Sequence, residues 1–473
     1  VDSEMLNSNN RIAFMTSAEF GRVYIDDVSL VNSIFNPSEL SIINPVAGSF
    51  WTSGTDQIIE FNSTNNFQDV LLQYSTDGGS SWTDIVQYYP QNGYNSIIWN
   101  VAANPGLSPN SHIRIITADA QLYSISNAFT IIGGTTFAGG TGTGADPYLV
   151  SNAEQLNNVR LFLGPDNANV YFLQTDHIDL GLSPWTDGEG WSPIGTAAQP
   201  FYGNYNGNGY SISGLTINRP ALTHVGLFGY ASNASFVNIG LTNVDITGYL
   251  RVGALVGRIN NGYVANCYST GSLKGELVIA GLIGNLYNGS TLENSYSSVN
   301  VQMVPGANNQ QAAGLVGRIL GGSLIRNSFA TGTVTGLGAW AGGLLAINSD
   351  GEITNCYATG NVTGDNIVGG LIGLSDNGNI NNCYSVGKVT HFGQGGGLIG
   401  GSSTGVAYNS YWNNETSTQS ASFAGEPKNT LEMINLFIYS AWDFGGTWSI
   451  AEGSSYPYLQ WQGGPMAFNY PPS

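Results

Sequence analysis

Seven near-copies of one short phrase constrain this 473-residue chain more than any other feature in it. VGLFG, GALVG, AGLIG, AGLVG, GGLLA, GGLIG and GGLIG end at positions 229, 257, 284, 317, 346, 373 and 400. Nine or ten residues after each comes a second mark: NIG, NCY, NSY, NSF, NCY, NCY and NSY. A unit of about 27 residues holds three short strand candidates between Gly- and Asn-rich corners, too little to enclose a core of its own. Stacking removes that difficulty, because like positions in successive copies then lie about 4.8 Å apart and form continuous apolar rows. The expected fold is all-β: a right-handed parallel β-helix, the hand that parallel crossovers almost always take.

The repeat assigns residues to rows. Leu227, Leu255, Leu282, Leu315, Leu344, Leu371 and Leu398 make one, and Leu273, Val301, Val334, Val362 and Val389 a second. Asn266, Asn294, Asn327, Asn355, Asn382 and Asn409 suit a corner, where amides bond along the stack and Asn tolerates a left-handed backbone. Cys267, Cys356 and Cys383 share one repeat position with Ser. They read as small packing side chains and not as a disulfide frame, although Cys356 and Cys383 fall on adjacent turns where a bridge is geometrically conceivable. No His accompanies them at zinc-ligand spacing. Tyr268, Tyr296, Phe329, Tyr357, Tyr384 and Tyr411 form an aromatic row. Facing inward it is a stacked core ladder; facing outward it is a flat ribbon on which sugar rings stack. Strand phase leaves both open, because the Asn corner resets the alternation.

The GGLIG…NCYSVGKV unit resembles the GLUG motif of bacterial cell-surface and secreted proteins. The stretch DPYLVSNAEQL…PFYGNYNGNGYSISGLTIN is similar to the rungs that precede such repeats, so the resemblance covers about residues 134–465. It implies a β-helix over 134–473, in a family that includes adhesin-like proteins, pieces attached to proteases and modules of polysaccharide-degrading enzymes. Within it, SNAEQLNNVRLFL reads as an amphipathic helix with Ser151 as N-cap and Glu154 three residues on, placed to cover the open end of the solenoid. Residues 37–133 carry short strand runs split by DGGSS, QNGY and ANPG, the spacing of an antiparallel sandwich. LLQYSTDGGSSWTDI resembles paired strands of immunoglobulin-like domains, which implies a rigid spacer. Residues 1–36 include GRVYIDDVSL, which resembles the last strand of jelly-roll carbohydrate-binding modules and implies the C-terminal remnant of one.

Charge narrows the partners. Twelve Lys plus Arg stand against 31 Asp plus Glu, a net charge of −19. Nucleic acid and anionic membrane surfaces are excluded as partners, since both require concentrated cations. No apolar run nears the ~20 residues of a membrane helix. VDSEMLNSNN does not read as a signal peptide, so export is expected to rest on a signal outside this sequence. Few charges with abundant Gly, Ser, Thr, Asn and Tyr fit a secreted or cell-surface protein solvated by neutral polar groups.

Some β-helical carbohydrate-binding modules attached to xylanases are similar in general plan. That likeness implies non-catalytic binding of a neutral plant-cell-wall polysaccharide, xylan first, by a monomer whose catalytic domain lies elsewhere in the parent chain. The expected contacts are aromatics outside the regular rows. They are Trp185 and Trp191 in LSPWTDGEGWSPIG, Tyr202 and Tyr205 soon after, Tyr249 ahead of the first full repeat, and Trp340 in GLGAWAGG. Trp442, Trp448 and Trp461 are expected to plug the last turn, and MVPGANNQQ to overhang one face. Asp187 and Glu189 are candidates for a structural calcium; no other cofactor is expected. Arg251, Arg258 and Arg318 need no role beyond solvation. The alternatives are an adhesin or structural repeat segment, and a β-helical polysaccharide lyase or hydrolase. For the latter, the four histidines are scattered and the acids at hand are Asp187 with Glu189, Asp176 with Asp179, and lone Asp350, Asp365 and Asp376 at turn positions.

Overall fold

Parallel pairing one rung apart organises most of the chain. The structure is a computed structural model that describes residues 38–465 apart from 66–67, 102–107, 133–136, 305 and 307–308. The carbohydrate-module remnant expected over residues 1–36 lies outside the described residues.

A regular rung is illustrated by Asn379–Asn381, Tyr384–Ser385, Val389–His391, Gln394–Gly396 and Ile399–Ser402, after which Val406–Tyr408 returns to pair in parallel with Asn379–Asn381. This rung is thus cut into five short strands, where the sequence suggested three; an earlier rung keeps to three, with Gly240–Gly253 as one continuous strand between Ser235–Val237 and Val256–Asn260. Three long sheets result. The first has ten strands, from Tyr148–Val150 to Val406–Tyr408. The second has seven, from Phe228–Ser232 to Ile399–Ser402, and the third is a nineteen-stranded composite that ends at Glu426–Lys428.

The rows fall where the repeat places them. Every member of the leucine row is fully buried, and the backbone N–H of Leu255, Leu282, Leu315, Leu344 and Leu371 donates to the leucine carbonyl one rung on, at 2.8–3.1 Å. Leu273, Val301, Val334, Val362 and Val389 pair in unbroken register. The Asn corner residues all have φ between 47° and 55°. Asn266, Asn355 and Asn382 each donate an amide to the Asn of the preceding rung at 3.0–3.3 Å. The side chain thereby relieves a backbone conformation that costs most residues energy. The three cysteines are free and buried; Cys356 N–H donates to Cys383 Sγ at 3.4 Å, where Ser295 N–H donates to Ser328 Oγ at 3.2 Å.

At the N-terminal end the helix is Ala153–Asn158, capped by Asn152, whose side chain accepts from Gln155 N–H at 2.9 Å. The cap is one residue later than expected, because Ser151 instead bonds the Gln155 side chain through both its N–H and its hydroxyl. Leu156 and Val159 are fully buried in the solenoid core, so the helix does cover that end; Leu161 stays 39% exposed.

The aromatic row resolves in a third way. Its rings stack with centroids 4.7–5.1 Å apart and interplanar angles of 3–7° from Tyr268 through Tyr384. Phe329, Tyr357, Tyr384 and Tyr411, with Tyr296 packed against them, belong to a hydrophobic cluster separate from that of the coil. The chain after residue 430 covers this outward ladder, running back along the rungs. Trp442 Nε1 donates to Asn409 O, Tyr384 OH to Pro457 O, and Trp461 Nε1 to Asn327 O. Trp442, Trp448 and Trp461 therefore strap the ladder lengthwise instead of plugging the last turn. Phe329, Tyr357 and Tyr384 are fully buried beneath the strap, whereas Tyr268 and Tyr296 remain half-buried.

Residues 38–132 form a β-sandwich. Glu39–Asn44, Asp56–Thr64 and Gly93–Asn100 make one antiparallel sheet. Phe50–Thr52, Phe129–Ile132, Ser108–Thr117, Val70–Ser75 and Thr83–Tyr88 make the other in that order, with Tyr123–Ile125 added beside Ser108–Thr117. Ile59, Phe61 and Trp99 from the first sheet meet Trp51, Leu72, Ile113 and Phe129 from the second in one core.

Candidate functional site

The loop aromatics separate into buried and half-buried groups. Trp191 is 1% exposed, donates Nε1 to Leu227 O at 3.1 Å and lies under the Arg160 guanidinium at 5.3 Å. Trp185 packs against it at 5.3 Å and is 9% exposed. Tyr205 is 1% exposed, its hydroxyl on Gln174 Oε1. These three belong to the core at the first rungs and cannot present a stacking face to solvent, which corrects the expectation for them. The loop folds down because Arg160 donates to Ser192 O at 2.7 Å and Arg219 to Trp191 O at 3.3 Å. Tyr202, Tyr249 and Trp340 are half-buried.

Asp187 and Glu189 do not converge on an ion. Glu189 is committed to Arg219 at 2.6 Å, and Asp187 accepts from Ser183 at 2.8 Å. Among the described residues no three His, Cys, Asp or Glu side chains gather in a way that could hold a metal. The residues present do not fit the calcium expectation.

What the fold does build is a lengthwise groove, and the GGLIG phrase is its floor. On one wall, the third sheet sets His224, Arg251, Val278, Gln311, Trp340, Ile367 and Gln394 in successive rungs. On the other, the second sheet sets Tyr230, Arg258, Asn285, Arg318, Ile347, Leu374 and Gly401. The chain folds sharply between the walls, so backbones meet at the bottom. A Cβ on Gly257 would stand 2.5 Å from Val225 N and 2.6 Å from Arg251 O, and one on Gly400 2.6 Å from Val368 C. Ala280, Ala313 and Ala346 form a small buried cluster of their own in the same floor. The walls face each other closely: a Cβ on Gly401 would lie 3.1 Å from Ile367 Cγ2, and the His224 and Tyr230 rings are 5.2 Å apart. Seven rungs at ~4.8 Å give a groove about 29 Å long.

Its two ends differ in chemistry. Trp340, Ile347, Ile367 and Leu374 make one part apolar. The other holds His224, Arg251, Arg258 and Arg318. Arg251 Nη1 is 3.3 Å from His224 Nε2, and the Arg258 guanidinium lies 5.2 Å from the Tyr230 ring and 4.6 Å from that of Tyr287. Burial, then Arg251 and Arg258, hold the His224 imidazole down at about 4. Burial and Arg258 also press Arg251 downward. Three cations with a role only in solvation is therefore not what the structure places here. The signal was in the repeat: HVGLFG and RVGALVG align His224 with Arg251, and LVGRI occurs at both Arg258 and Arg318.

Together the rungs define a parallel β-helix that carries GLUG repeats. Residues 308–335, 341–363 and 364–390 match the GLUG motif. The chain is 40% identical over 149 residues, 31% of its own length, to a protein of Evansella cellulosilytica whose name describes a Gly-rich membrane protein. It is 34% identical over 209 residues, 43% of its length, to a protein of Haloquadratum walsbyi named halomucin. It spans 17% and 2% of the length of these two relatives. A solved IgA1 protease aligns with 79% of this chain and over 31% of its own, at 17% identity and a TM-score of 0.44. No helix among the described residues is long and apolar enough to cross a membrane.

Proposed function

We propose that this chain is a non-catalytic segment of an extracellular surface or structural repeat protein, and that its solenoid binds polysaccharide along the groove. The observation that carries the reading is the groove itself: about seven rungs long, floored by Gly and Ala, with the half-buried indole of Trp340 in its wall. Binding sites are concave and mostly apolar with a few convergent polar groups, and an indole offers a sugar ring an apolar face beside a hydrogen-bond donor. The surface location is supported by the relative named as a membrane protein. The sandwich of residues 38–132 serves as an immunoglobulin-like spacer, and a xylan-type hemicellulose is the first ligand to try.

Affinity gels cast with xylan, cellulose, mannan and pectin test this. Retardation on at least one of them, weakened by Trp340→Ala but not by Tyr202→Ala, is the expected result. Free migration on all four leaves the purely structural reading, in which the repeats supply length alone.

A further inference from the structure

We propose that the cationic end of the groove, His224 with Arg251, Arg258 and Arg318, is a subsite for an anionic group on the bound glycan, a uronate carboxylate. This rests on the groove being the glycan site and adds the class of sugar that it selects.

The first argument is one of missing partners. Acids outnumber bases 31 to 12 in this chain, so a base has ample choice of carboxylate. Three of the twelve nevertheless stand together within three rungs. The ion pairs among the described residues involve Arg219, Arg326 and Lys428, and none of these three. Of the acids in the same rungs, Glu293 is taken by Arg326 and Asp245 accepts from Ser272 on another strand; Glu276 stands on the turn before Val278. Gathering like charges without a counter-charge is unfavourable. A bound anion relieves that cost.

The second argument comes from unsatisfied polar atoms. Nε of Arg251, Arg258 and Arg318 is buried without a hydrogen-bond partner, and so are Asn285 Oδ1 and Gln311 Oε1, in side chains only 7% and 5% exposed. By register Asn285 sits between Arg258 and Arg318, and Gln311 shares a rung with Arg318. Buried polar groups in native proteins are paired, so a concentration of orphans in one groove marks where a ligand's polar groups belong. Donors and acceptors both occur, which suits a sugar: guanidinium groups for the carboxylate, amide oxygens for its hydroxyls. A planar carboxylate matches the guanidinium fork, and the Tyr230 and Tyr287 rings flank the Arg258 guanidinium. The net charge of −19 does not oppose this, because charges beyond ~8 Å are largely screened at physiological salt.

The test uses the whole chain on three gels: polygalacturonate, the same polymer fully methyl-esterified, and dextran sulfate. Wild type, Arg258→Gln/Arg318→Gln and Trp340→Ala are compared after their thermal melts confirm folding. The expected result is tighter binding to the acid than to the ester, falling with added salt, and a loss of at least about tenfold for the acid alone in the double Arg variant. Equal binding of acid and ester, unaffected by the Arg change, overturns the subsite while leaving glycan binding intact. No binding to any polymer, the neutral ones included, overturns the groove reading and this one with it. Preference for dextran sulfate, lost in the Arg variant, overturns the carboxylate assignment in favour of sulfate. Should the variant fail to fold, the wild-type His224 imidazole resonances decide: they shift on adding oligogalacturonate and not its neutral reduced counterpart, or the subsite is refuted.

Discussion

The indole N–H of Trp448 donates to the side-chain oxygen of Asn355, 3.3 Å away and 93 residues earlier in the chain. The contact ties the C-terminal strap to the Asn corner. Trp448 is fully buried against Tyr357, Tyr384 and Trp442. Replacing it with Ala removes a large packed ring and uncovers the middle of the aromatic ladder. A loss of about 3–5 kcal/mol is expected in urea denaturation. Tyr268, outside the strap, reports on specificity: Tyr268→Ala costs much less. Equal losses at the two positions argue against the strap as the stabilising element.

How far the sequence could be read is clear from these same residues. The Leu and Val rows, the Asn corner and the Cys/Ser row follow from the period alone, because stacking at a fixed interval forces like onto like. The fate of the aromatic row does not follow, since whether an outward ring is exposed depends on a segment with no repeat in it. For Trp185 and Trp191, a Gly- and Pro-rich loop looks exposed by composition, yet Arg160 and Arg219 draw it onto the core, while Tyr205 is buried as the inward residue of the strand Asn204–Asn206. Arg251, Arg258 and Arg318 were legible as repeat positions, but their convergence needs the corner at the groove floor, which becomes visible only once the Gly positions are seen as close backbone approaches.

That floor makes a direct prediction. Gly257→Ala places a methyl 2.5–2.6 Å from backbone atoms of Val225, Arg251 and His224. Backbone held by rung-to-rung hydrogen bonds cannot retreat as a side chain can, so the cost exceeds the ~1–3 kcal/mol typical of overpacking. Gly464→Ala, whose added methyl meets nothing within 4 Å and whose backbone is likewise outside the left-handed region, controls for the loss of glycine's freedom without the clash. The thermal midpoint of Gly257→Ala should fall well below that of the control.

The cysteine row predicts tolerance. Cys356 Sγ donates to Thr354 O at 3.3 Å, as Ser328 Oγ does to Arg326 O at 2.8 Å. Serine can take over that bond, so Cys356→Ser should cost within about 1 kcal/mol. Burial pushes the Cys267 thiol up to about 12, so thiol reagents should leave it unmodified in the native state at pH 8 and react only in denaturant. Rapid native labelling at Cys267 contradicts its place in the row.

His224 links the groove to pH. Its imidazole titrates at about 4 in the folded chain against an ordinary 6.5, because burial comes first and the charges of Arg251 and Arg258 second. Between those two values the unfolded chain binds the proton that the folded one refuses, so stability rises with pH there. Acidification should therefore weaken the fold progressively from about 6.5 down to about 4, after which this contribution no longer changes. The side chain is partly exposed, so solvent screening reduces the size of the effect. His224→Gln should flatten that part of a denaturation series taken across pH, and NMR should find the native imidazole neutral at pH 5.5. A resonance that titrates near 6.5 instead means that the two guanidinium groups do not bear on this ring, and the cationic end of the groove loses its closest neighbour.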